Sequence, residues 1–309
     1  MKKIESAEDI HSVLVVGAGT MGSQIALQCA LCGLGVTLYD VDRAKLDEAR
    51  GRMSGEYAAS LTGLGLREAE TVRKVIDGIE FTTDAAAAAA EADLVSESIP
   101  ERPELKARVF GMFDGLCPER TLFATNSSTL LPSMIAEGTG RPDRFCAMHF
   151  HIYVWVANVV DIIPHPGTAP EVAEILRQFA LRIGQVPIVL KKEQVGYVFN
   201  TMLCALNDAA LGLVADGVAS VDDVDRAWMG VMKTPIGPLG ILDFVGLDTA
   251  MTITEYWAER TGNKRLVSNG QLLRSYVEAG RLGMKNGKGF YDYPAPRYAD
   301  EDFVSSASK

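Results

Sequence analysis

The sequence lacks any apolar run long enough to cross a membrane as a helix. Its 309 residues are 48% hydrophobic, but no stretch approaches the ~18 consecutive apolar residues that a transmembrane helix requires. The charged start, Met1-Lys2-Lys3-Ile4-Glu5, is followed by no long apolar segment, so a signal peptide is not expected. We therefore expect a cytoplasmic protein with no membrane partner.

Clusters of basic residues are also missing. The chain has 30 Lys and Arg against 40 Asp and Glu, a net charge of −10. Nucleic-acid-binding proteins usually carry a basic patch, and an acidic protein is repelled by anionic membrane surfaces. We expect neither kind of partner, and an anionic ligand would have to be held by local backbone dipoles.

Cysteine is scarce, with five residues in the chain. Cys29 and Cys32 form a CxxC pair, but the pair lies in an apolar helical stretch and no second pair exists. Such cysteines are typical of buried thiols in a reducing compartment rather than of redox or zinc chemistry.

Two kinds of periodicity divide the chain. Up to residue 190, short apolar runs alternate with helical stretches, which predicts an α/β domain with a doubly wound, mostly parallel sheet of the Rossmann type. The segment 43–77 contributes two helices with a break near 62–66. From 191 to 309 the pattern is helical, and it predicts an all-helical second domain. The predicted strands are 12–16, 36–39, 80–82, 93–96, 122–125, 145–149 and 159–163, and helices of the second domain are expected at 195–215 and 222–232 and around 253–259 and 271–279.

A glycine fingerprint follows the first predicted strand and opens a helix, which is the context that makes GxGxxG credible. Gly17 permits the tight turn, Gly19 lets backbone amides approach a pyrophosphate, and Gly22 allows close packing of helix on strand. Thr20 and Met21 complete the motif at the helix N-terminus, whose partial positive charge favours phosphate. The motif predicts a dinucleotide site.

An acid ends the second predicted strand. Asp40 lies eighteen residues after Gly22, where a carboxylate accepts hydrogen bonds from the adenosine ribose hydroxyls and repels a 2′-phosphate. The prediction is therefore NAD. Arg43 lies nearby and leaves NADP as the alternative, because a guanidinium can pair with a 2′-phosphate.

A histidine and an aspartate on neighbouring predicted strands are candidates for the chemistry. Asp161 interrupts an apolar strand, and a buried carboxylate requires a partner. His149 ends the preceding strand, and a carboxylate-bound histidine is oriented to act as a general base. A histidine satisfied within the core is the alternative. His151 shares a face with His149 and with Asp161 could form a metal site, but we expect no metal.

Several motifs occur in an order that resembles the 3-hydroxyacyl-CoA dehydrogenase family from residue 13 to 293. The resemblance rests on the glycine fingerprint, the segment from Glu97 through Glu101 to Lys106, Thr125-Asn126-Ser127-Ser128, His149-Phe150 with Asp161, Gly196-Tyr197-Val198-Phe199-Asn200, Thr234-Pro235-Ile236-Gly237-Pro238 with Asp243 and Gly246-Leu247-Asp248, and Gly283-Met284-Lys285-Asn286-Gly287-Lys288-Gly289-Phe290-Tyr291.

The resemblance implies a dinucleotide domain, a helical domain that forms a homodimer, and substrate bound between the two. It also implies that His149 is the base at the 3-hydroxyl and that Asp161, where the family usually has Glu, orients it. Ser128 would hydrogen-bond the substrate oxygen, and Asn200 would help fix His149 or the substrate. Three further residues match positions near the cofactor: Glu101, Lys106 and Asn126.

The sequence departs from the family directly after His149. The usual Phe-Asn-Pro is replaced by His151-Ile152-Tyr153, so the family asparagine that would touch the substrate carbonyl is Ile152. Asn158 is the candidate for the missing donor. Tyr153 and Trp155 add bulk, which favours a short acyl chain, and Trp155 is expected to line the substrate site. The alternative is that both aromatic side chains only pack under the second domain.

The expected reaction is NAD-dependent oxidation of a short (3S)-3-hydroxyacyl-CoA to the 3-oxo thioester. Arg52 is the only basic residue of 51–66, whereas relatives that use coenzyme A place lysines on these helices. A thioester of an acyl-carrier protein or a free 3-hydroxy acid is therefore an alternative substrate. A nucleotide-binding structural or sensor protein with a decayed site is the alternative from another class.

Overall fold

The computed structural model describes residues 3–305, which divide into two compact units between Val198 and Phe199. The periodicity of the sequence had put the boundary at 190/191. The segment after Leu190 stays with the first unit because Tyr197 is buried in a small cluster with Ala147, Ile163 and Leu190. Each unit is described separately below.

The first unit is built on one eight-stranded sheet in the order β3-β2-β1-β4-β5-β6-β7-β8. Strands β1 to β6 are parallel, β7 is antiparallel to β6, and β8 is parallel to β7. The strands are β1 (Ser12–Val16), β2 (Gly35–Tyr39), β3 (Glu80–Thr82), β4 (Leu94–Glu97), β5 (Leu122–Thr125), β6 (Phe145–Phe150), β7 (Val159–Ile163) and β8 (Val186–Val189).

Seven α-helices belong to the sheet unit. They form because stretches with apolar residues at helical spacing follow the strands, and their apolar faces are buried in two clusters that include residues of the sheet. A π-helical turn, Met53–Tyr57, joins α2 to α3. The helices are α1 (Thr20–Leu31), α2 (Arg43–Arg52), α3 (Ala58–Gly63), α4 (Ala69–Asp77), α5 (Ala85–Ala89), α6 (Pro103–Asp114) and α7 (Pro170–Arg182).

The second unit is helical and has its own core. Leucines of several of its helices form one buried cluster, among them Leu211, Leu242 and Leu273. Its helices are α8 (Phe199–Ala215), α9 (Val221–Met232), α10 (Pro238–Val245), α11 (Leu247–Thr261) and α12 (Lys264–Glu278). Over the described part of this unit, residues 199–305, β pairing is confined to isolated bridges.

The predicted fold class is confirmed: a mostly parallel Rossmann-type sheet and a helical second unit. Strand β8 was not predicted, because it is a short edge strand, only partly buried, that contains Pro187. The long helix begins at Phe199 rather than at 195, because Gly196 and Tyr197 have positive φ angles of 74° and 50° and interrupt the helical pattern. Within residues 3–305, no helix is long and apolar enough to span a membrane.

Candidate active site

The predicted functional residues of the first unit collect at one edge of the sheet. Parallel strands end at the same edge, so the loops after β1, β2 and β5 and the end of β6 lie side by side. Because β7 is antiparallel to β6, its first residues reach the same edge. The topology therefore brings the glycine loop, Asp40, Ser128, His149 and Asp161 to one side of the sheet.

The glycine loop has the geometry that a bound dinucleotide requires. A Cβ atom on Gly17, whose φ is +104°, would lie 2.7 Å from the carbonyl oxygen of Ser98, and one on Gly22 would lie 1.8 Å from that of Gly17. No atom lies within 4 Å of the Cβ position of Gly19, so that side of the loop is open toward a ligand. Thr20, exposed, and Met21, half-buried, begin α1.

Asp40 is fixed by backbone donors beside this loop. One carboxylate oxygen accepts a hydrogen bond of 2.8 Å from the amide of Ala18, and the other accepts one of 3.0 Å from the amide of Asp42. Arg43 forms an ion pair of 3.3 Å with Asp47. Asp40 therefore places a negative charge directly beside the glycine loop.

His149, Asp161 and Ser128 form one hydrogen-bonded chain. His149 and Asp161 are direct partners across β6 and β7, which places Nδ1 of the imidazole 3.2 Å from Oδ2 of the carboxylate. On the other side of the ring, Nε2 is 3.1 Å from the Ser128 hydroxyl. His149 and Asp161 are buried, whereas Ser128 is half-buried. A base oriented by a carboxylate and joined to a hydroxyl is the arrangement needed for proton transfer from an alcohol.

Two histidines, His149 and His151, favour the ionised form of the Asp161 carboxylate. Burial on its own would raise the pKa of Asp161, but hydrogen bonds and charge from His149 and His151 lower it below its ordinary value. Nε2 of His151 lies 3.6 Å from the same Oδ2 atom. Asp161 is therefore suited to stabilise an imidazolium.

Glu101 holds the loop that carries Ser128. Its Oε1 accepts hydrogen bonds from the backbone amides of Ser128, Thr129 and Leu130 at 3.0, 2.9 and 3.2 Å. The Ser127 hydroxyl donates to the same oxygen. Burial opposes ionisation of Glu101, but Lys106 and these donors outweigh it and lower its pKa. The family resemblance implied a position near the cofactor, and the contacts recorded here are with the serine loop.

Lys106 and Asn126 are also tied into the protein framework. The Lys106 ammonium is buried and lies 2.6 Å from Glu97 and 3.4 Å from Glu101. Oδ1 of Asn126 accepts a hydrogen bond of 2.8 Å from the amide of Phe150, the residue directly after His149. These contacts fix the end of β6 relative to the loop after β5.

The loop after His149 is held by α1 and by the segment 53–63. Oε1 of Gln24 accepts hydrogen bonds from the amides of Tyr153 and Val154 at 2.6 and 3.3 Å. The indole nitrogen of Trp155 donates to the Ser60 hydroxyl at 3.1 Å, and its ring centroid lies 5.4 Å from that of Tyr57. Trp155 therefore forms part of an aromatic cluster between this loop and the segment 53–63.

Asn158 and Asn200 do not join the group formed by His149, Asp161 and Ser128 in the first unit. Nδ2 of Asn158 donates a hydrogen bond of 3.2 Å to the carbonyl of Gly184, in the turn before β8. The side-chain amide that we expected to donate a hydrogen bond to the substrate carbonyl therefore donates to the protein backbone. Asn200 is half-buried in the first turn of α8 and belongs to the second unit.

Sequence reasoning did not single out Gln24 or Glu56. Gln24 lies within α1 and belongs to no recognisable motif, although its side-chain oxygen accepts two hydrogen bonds from the loop after His149. Glu56 accepts a hydrogen bond of 3.0 Å from the Tyr153 hydroxyl. Only contacts between segments far apart in the sequence reveal these roles.

Comparison with known families covers both units. The description "3-hydroxyacyl-CoA dehydrogenase, NAD binding domain" matches residues 12–194. The description "3-hydroxyacyl-CoA dehydrogenase, C-terminal domain" matches residues 196–293. The chain belongs to the 3-hydroxyacyl-CoA dehydrogenase family. It is therefore an NAD-dependent oxidoreductase, as the sequence predicted.

Individual members of the 3-hydroxyacyl-CoA dehydrogenase family cover almost the whole chain. A probable 3-hydroxybutyryl-CoA dehydrogenase of Bacillus subtilis is 35% identical over 92% of this chain and 98% of its own length. A solved (S)-3-hydroxybutyryl-CoA dehydrogenase of Ralstonia eutropha is 30% identical, with a TM-score of 0.82 over 93% of this chain and 100% of that one. A solved diketoreductase, described as acting on dicarbonyl compounds, is 40% identical, with a TM-score of 0.85 over 95% and 100%.

The position of Asp40 predicts a strong preference of this family member for NAD over NADP. A carboxylate facing a 2′-phosphate costs a few kcal/mol, and each ~1.4 kcal/mol is tenfold in affinity. We expect kcat/KM with NAD to exceed that with NADP by roughly 10²-fold. Asp40→Ala should narrow the gap, mainly by weakening NAD, whereas Asp77→Ala on α4 should leave it unchanged. Equal steady-state efficiency of the unmodified enzyme with both cofactors would contradict the assignment.

Proposed function

We propose that this enzyme oxidises a short-chain (3S)-3-hydroxyacyl-CoA, such as 3-hydroxybutyryl-CoA, to the 3-oxoacyl thioester. The observation that carries the proposal is the hydrogen-bonded chain from Asp161 through His149 to the hydroxyl of Ser128. It offers one oriented base and one neutral hydrogen-bonding group, the two functions that removal of a proton from a secondary alcohol requires.

The proposed step has a simple balance. Bound NAD⁺ supplies the acceptor for the hydride that leaves C3 of the substrate. Nε2 of His149 takes the proton of the 3-hydroxyl, the C3–O bond becomes a carbonyl, and the imidazole becomes an imidazolium. Asp161 stabilises that charge through Nδ1, and its hydrogen bond fixes the tautomer that leaves Nε2 free to accept the proton.

Ser128 has the role of holding the substrate oxygen beside the base. Its hydroxyl is already 3.1 Å from Nε2 of His149. An alcohol oxygen bound next to it can exchange a hydrogen bond with Ser128 while its proton moves to the ring. Because Glu101 fixes the serine loop through three backbone amides, little reorganisation is needed when the substrate binds.

One observation favours a second candidate, a substrate without the coenzyme A nucleotide. Arg52 is the only basic residue of 51–66. Its guanidinium donates a 2.8 Å hydrogen bond to the carbonyl of Ala18 and lies 3.8 Å from Glu48. Glu56, on the same segment, is exposed and negative. These contacts leave little positive charge for nucleotide phosphates, which supports a carrier-protein thioester or a free 3-hydroxy acid as the alternative.

The aromatic side chains of the loop after His149, Tyr153 and Trp155, support a substrate with a short acyl chain. Trp155 is held by Ser60 and packs on Tyr57, while Tyr153 is held by Glu56. Large rings fixed in this way occupy space in the loop that follows His149, and their faces cannot donate a hydrogen bond to a thioester carbonyl. We therefore expect activity to decline as the acyl chain lengthens, and we propose Trp155 as a residue that limits its length.

A substrate panel tests the proposal. NADH formation would be measured with the coenzyme A, pantetheine and free-acid forms of 3-hydroxybutyrate and of longer 3-hydroxy acids. The highest kcat/KM is expected for the short coenzyme A thioester. A maximum for pantetheine or the free acid would favour the second candidate. Activity that rises from four to twelve carbons would refute the short chain, and NAD binding without turnover of any form would support a sensor protein.

We also propose that the enzyme forms a homodimer through its second unit. Within that unit, large apolar side chains are exposed on three helices: Met202 on α8 is 60% exposed, Val231 and Met232 at the end of α9 are 79% and 55% exposed, and Trp257 on α11 is 39% exposed. Apolar surface of this extent is typical of an association site. Light scattering should give twice the mass of one chain; a single-chain mass at micromolar concentration would contradict the proposal.

A further inference from the structure

His151 contacts the same carboxylate oxygen as the proposed base. Its Nε2 lies 3.6 Å from Oδ2 of Asp161, and Nδ1 of His149 lies 3.2 Å from that atom. The two imidazole rings meet edge to face, with centroids 4.8 Å apart. Oδ2 of Asp161 is thus at hydrogen-bond distance from His149 and at ion-pair distance from His151, while its Oδ1 is buried without a hydrogen-bond partner among the described residues.

The strand geometry explains this arrangement. His149 and His151 are two residues apart at the end of β6, so they lie on the same side of the chain, and Asp161 is the register partner of His149 on β7. His149 and Asp161 are buried, whereas 15% of the His151 side chain is exposed. The second imidazole therefore lies between the dyad and the surface.

A second imidazole beside the carboxylate weakens the stabilisation that Asp161 gives to a protonated His149. The charge of Asp161 stabilises the imidazolium that forms during the proposed reaction, and a further hydrogen bond or positive charge on the same oxygen weakens that stabilisation. Because the imidazole of His149 and the carboxylate of Asp161 are hydrogen-bonded, any group that neutralises part of the carboxylate lowers the affinity of the two groups together for a proton.

We propose that His151 is a positioning residue that shares Asp161 with His149 and sets how tightly the pair holds the proton taken from the substrate. The inference rests on the proposed function, in which His149 is the base. It adds a third member to the site, one that lies beside the carboxylate and competes with His149 for its negative charge.

Other titratable groups near the pair do not provide this control. His149 and His151 are the largest influences that lower the pKa of Asp161. The ring centroid of Tyr197 lies 5.2 Å from that of His149, but burial and the charge of Glu101 raise the pKa of its phenol, which stays neutral. Glu101 is engaged by the serine loop and by Lys106.

The pH dependence of kcat/KM tests the inference with two variants. His151→Phe removes the donor and its charge, so the pair should hold its proton more tightly and the acid limb of the profile should move up by about half to one pH unit. His151→Gln keeps an N–H donor and should move the limb less. His11→Phe, at an exposed histidine, is the control and should not move it. Superimposable profiles for all four proteins would overturn the inference.

A second measurement needs no turnover, so its failure is distinguishable from failure of the proposed function. The chain has four histidines, and their imidazole resonances can be followed by NMR in ¹⁵N-histidine-labelled protein. The midpoint of the His149 titration should lie at higher pH in His151→Phe than in the unmodified enzyme. An unchanged midpoint would refute the sharing of Asp161.

Metal analysis of the purified enzyme tests the alternative that His149, His151 and Asp161 bind a metal ion. The ligating atoms of His149, His151 and Asp161 all lie within 4.8 Å of one another, a spacing that a divalent cation could also use. We expect the purified enzyme to hold no stoichiometric cation and a chelator to leave the pH profile unchanged. A bound cation whose removal alters the His149 and His151 resonances would overturn the proposal, because the shared carboxylate would then be a ligand.

Discussion

His149→Gln is expected to lower kcat by roughly 10²–10⁴-fold on the best substrate, the usual contribution of general base catalysis. Glutamine retains hydrogen-bonding groups close to those of the imidazole but cannot take a proton at neutral pH. The buried His149 ring lies between Asp161 and Ser128, so its replacement removes the proposed acceptor of the substrate proton. Steady-state kinetics at saturating NAD would measure the loss.

Cofactor binding separates this loss from damage to the fold. His149 contacts Asp161, Ser128, His151 and Tyr197, four residues that lie outside the glycine loop. Quenching of NADH fluorescence should therefore give a similar Kd in the variant. Asp161→Asn should also reduce kcat, because the imidazolium loses its stabilising charge. Near-full turnover in both variants would rule out the dyad and direct attention to His151.

The fold could be predicted largely because its signals are local. Buried parallel strands are continuous apolar runs, and the glycine fingerprint marks the first turn between strand and helix. Elements that lack such a signal were missed. Strand β8 is a short edge strand containing a proline, and α10 is an eight-residue helix that begins with Pro238. Their stability comes from neighbours in space, which a single sequence does not reveal.

The site residues that could be predicted are likewise those with a local signal in the sequence. The pairing of His149 with Asp161 could be predicted because both residues lie on adjacent apolar strands, where a buried carboxylate needs a partner. The hydrogen bond of Asn158 to Gly184 could not be predicted, since it depends on where the turn before β8 lies. The same holds for Gln24, whose contact with Tyr153 joins residues 129 positions apart.

Lys106 forms a buried ion pair with Glu97, whereas the family resemblance implied a position near the cofactor. The side chains of Lys106 and Glu97 are 1% and 0% exposed, and their charged atoms are 2.6 Å apart. Glu97 also accepts hydrogen bonds from the Thr125 hydroxyl at 2.6 Å and the Ile99 amide at 2.7 Å. The pair thus joins α6 to β4 and β5 directly below the edge where the cofactor is expected.

Lys106→Met should therefore destabilise the protein by ~3–5 kcal/mol, the cost of leaving one partner of a buried ion pair without the other. Methionine fills similar volume but cannot neutralise Glu97. Denaturant unfolding would measure the change. Lys45→Met is the matched control: Lys45 forms an exposed ion pair with Glu48, and its loss should change stability little. Glu97→Gln combined with Lys106→Met should recover much of the loss, because no buried charge then remains.

The loss in Lys106→Met should also depend on pH in a defined direction. Burial raises the pKa of Glu97, and Lys106 is the largest influence opposing that rise. Without the lysine, folded Glu97 keeps its proton to higher pH than unfolded Glu97 does. The folded state then binds more protons than the unfolded state, so the free energy of unfolding falls as pH rises above the ordinary range of a glutamate. The variant should be closer to the unmodified enzyme at pH 5 than at pH 8. A loss that is equal at both values, or no loss at all, would show that the carboxylate does not depend on Lys106, and the lysine would again be a candidate for contact with the cofactor.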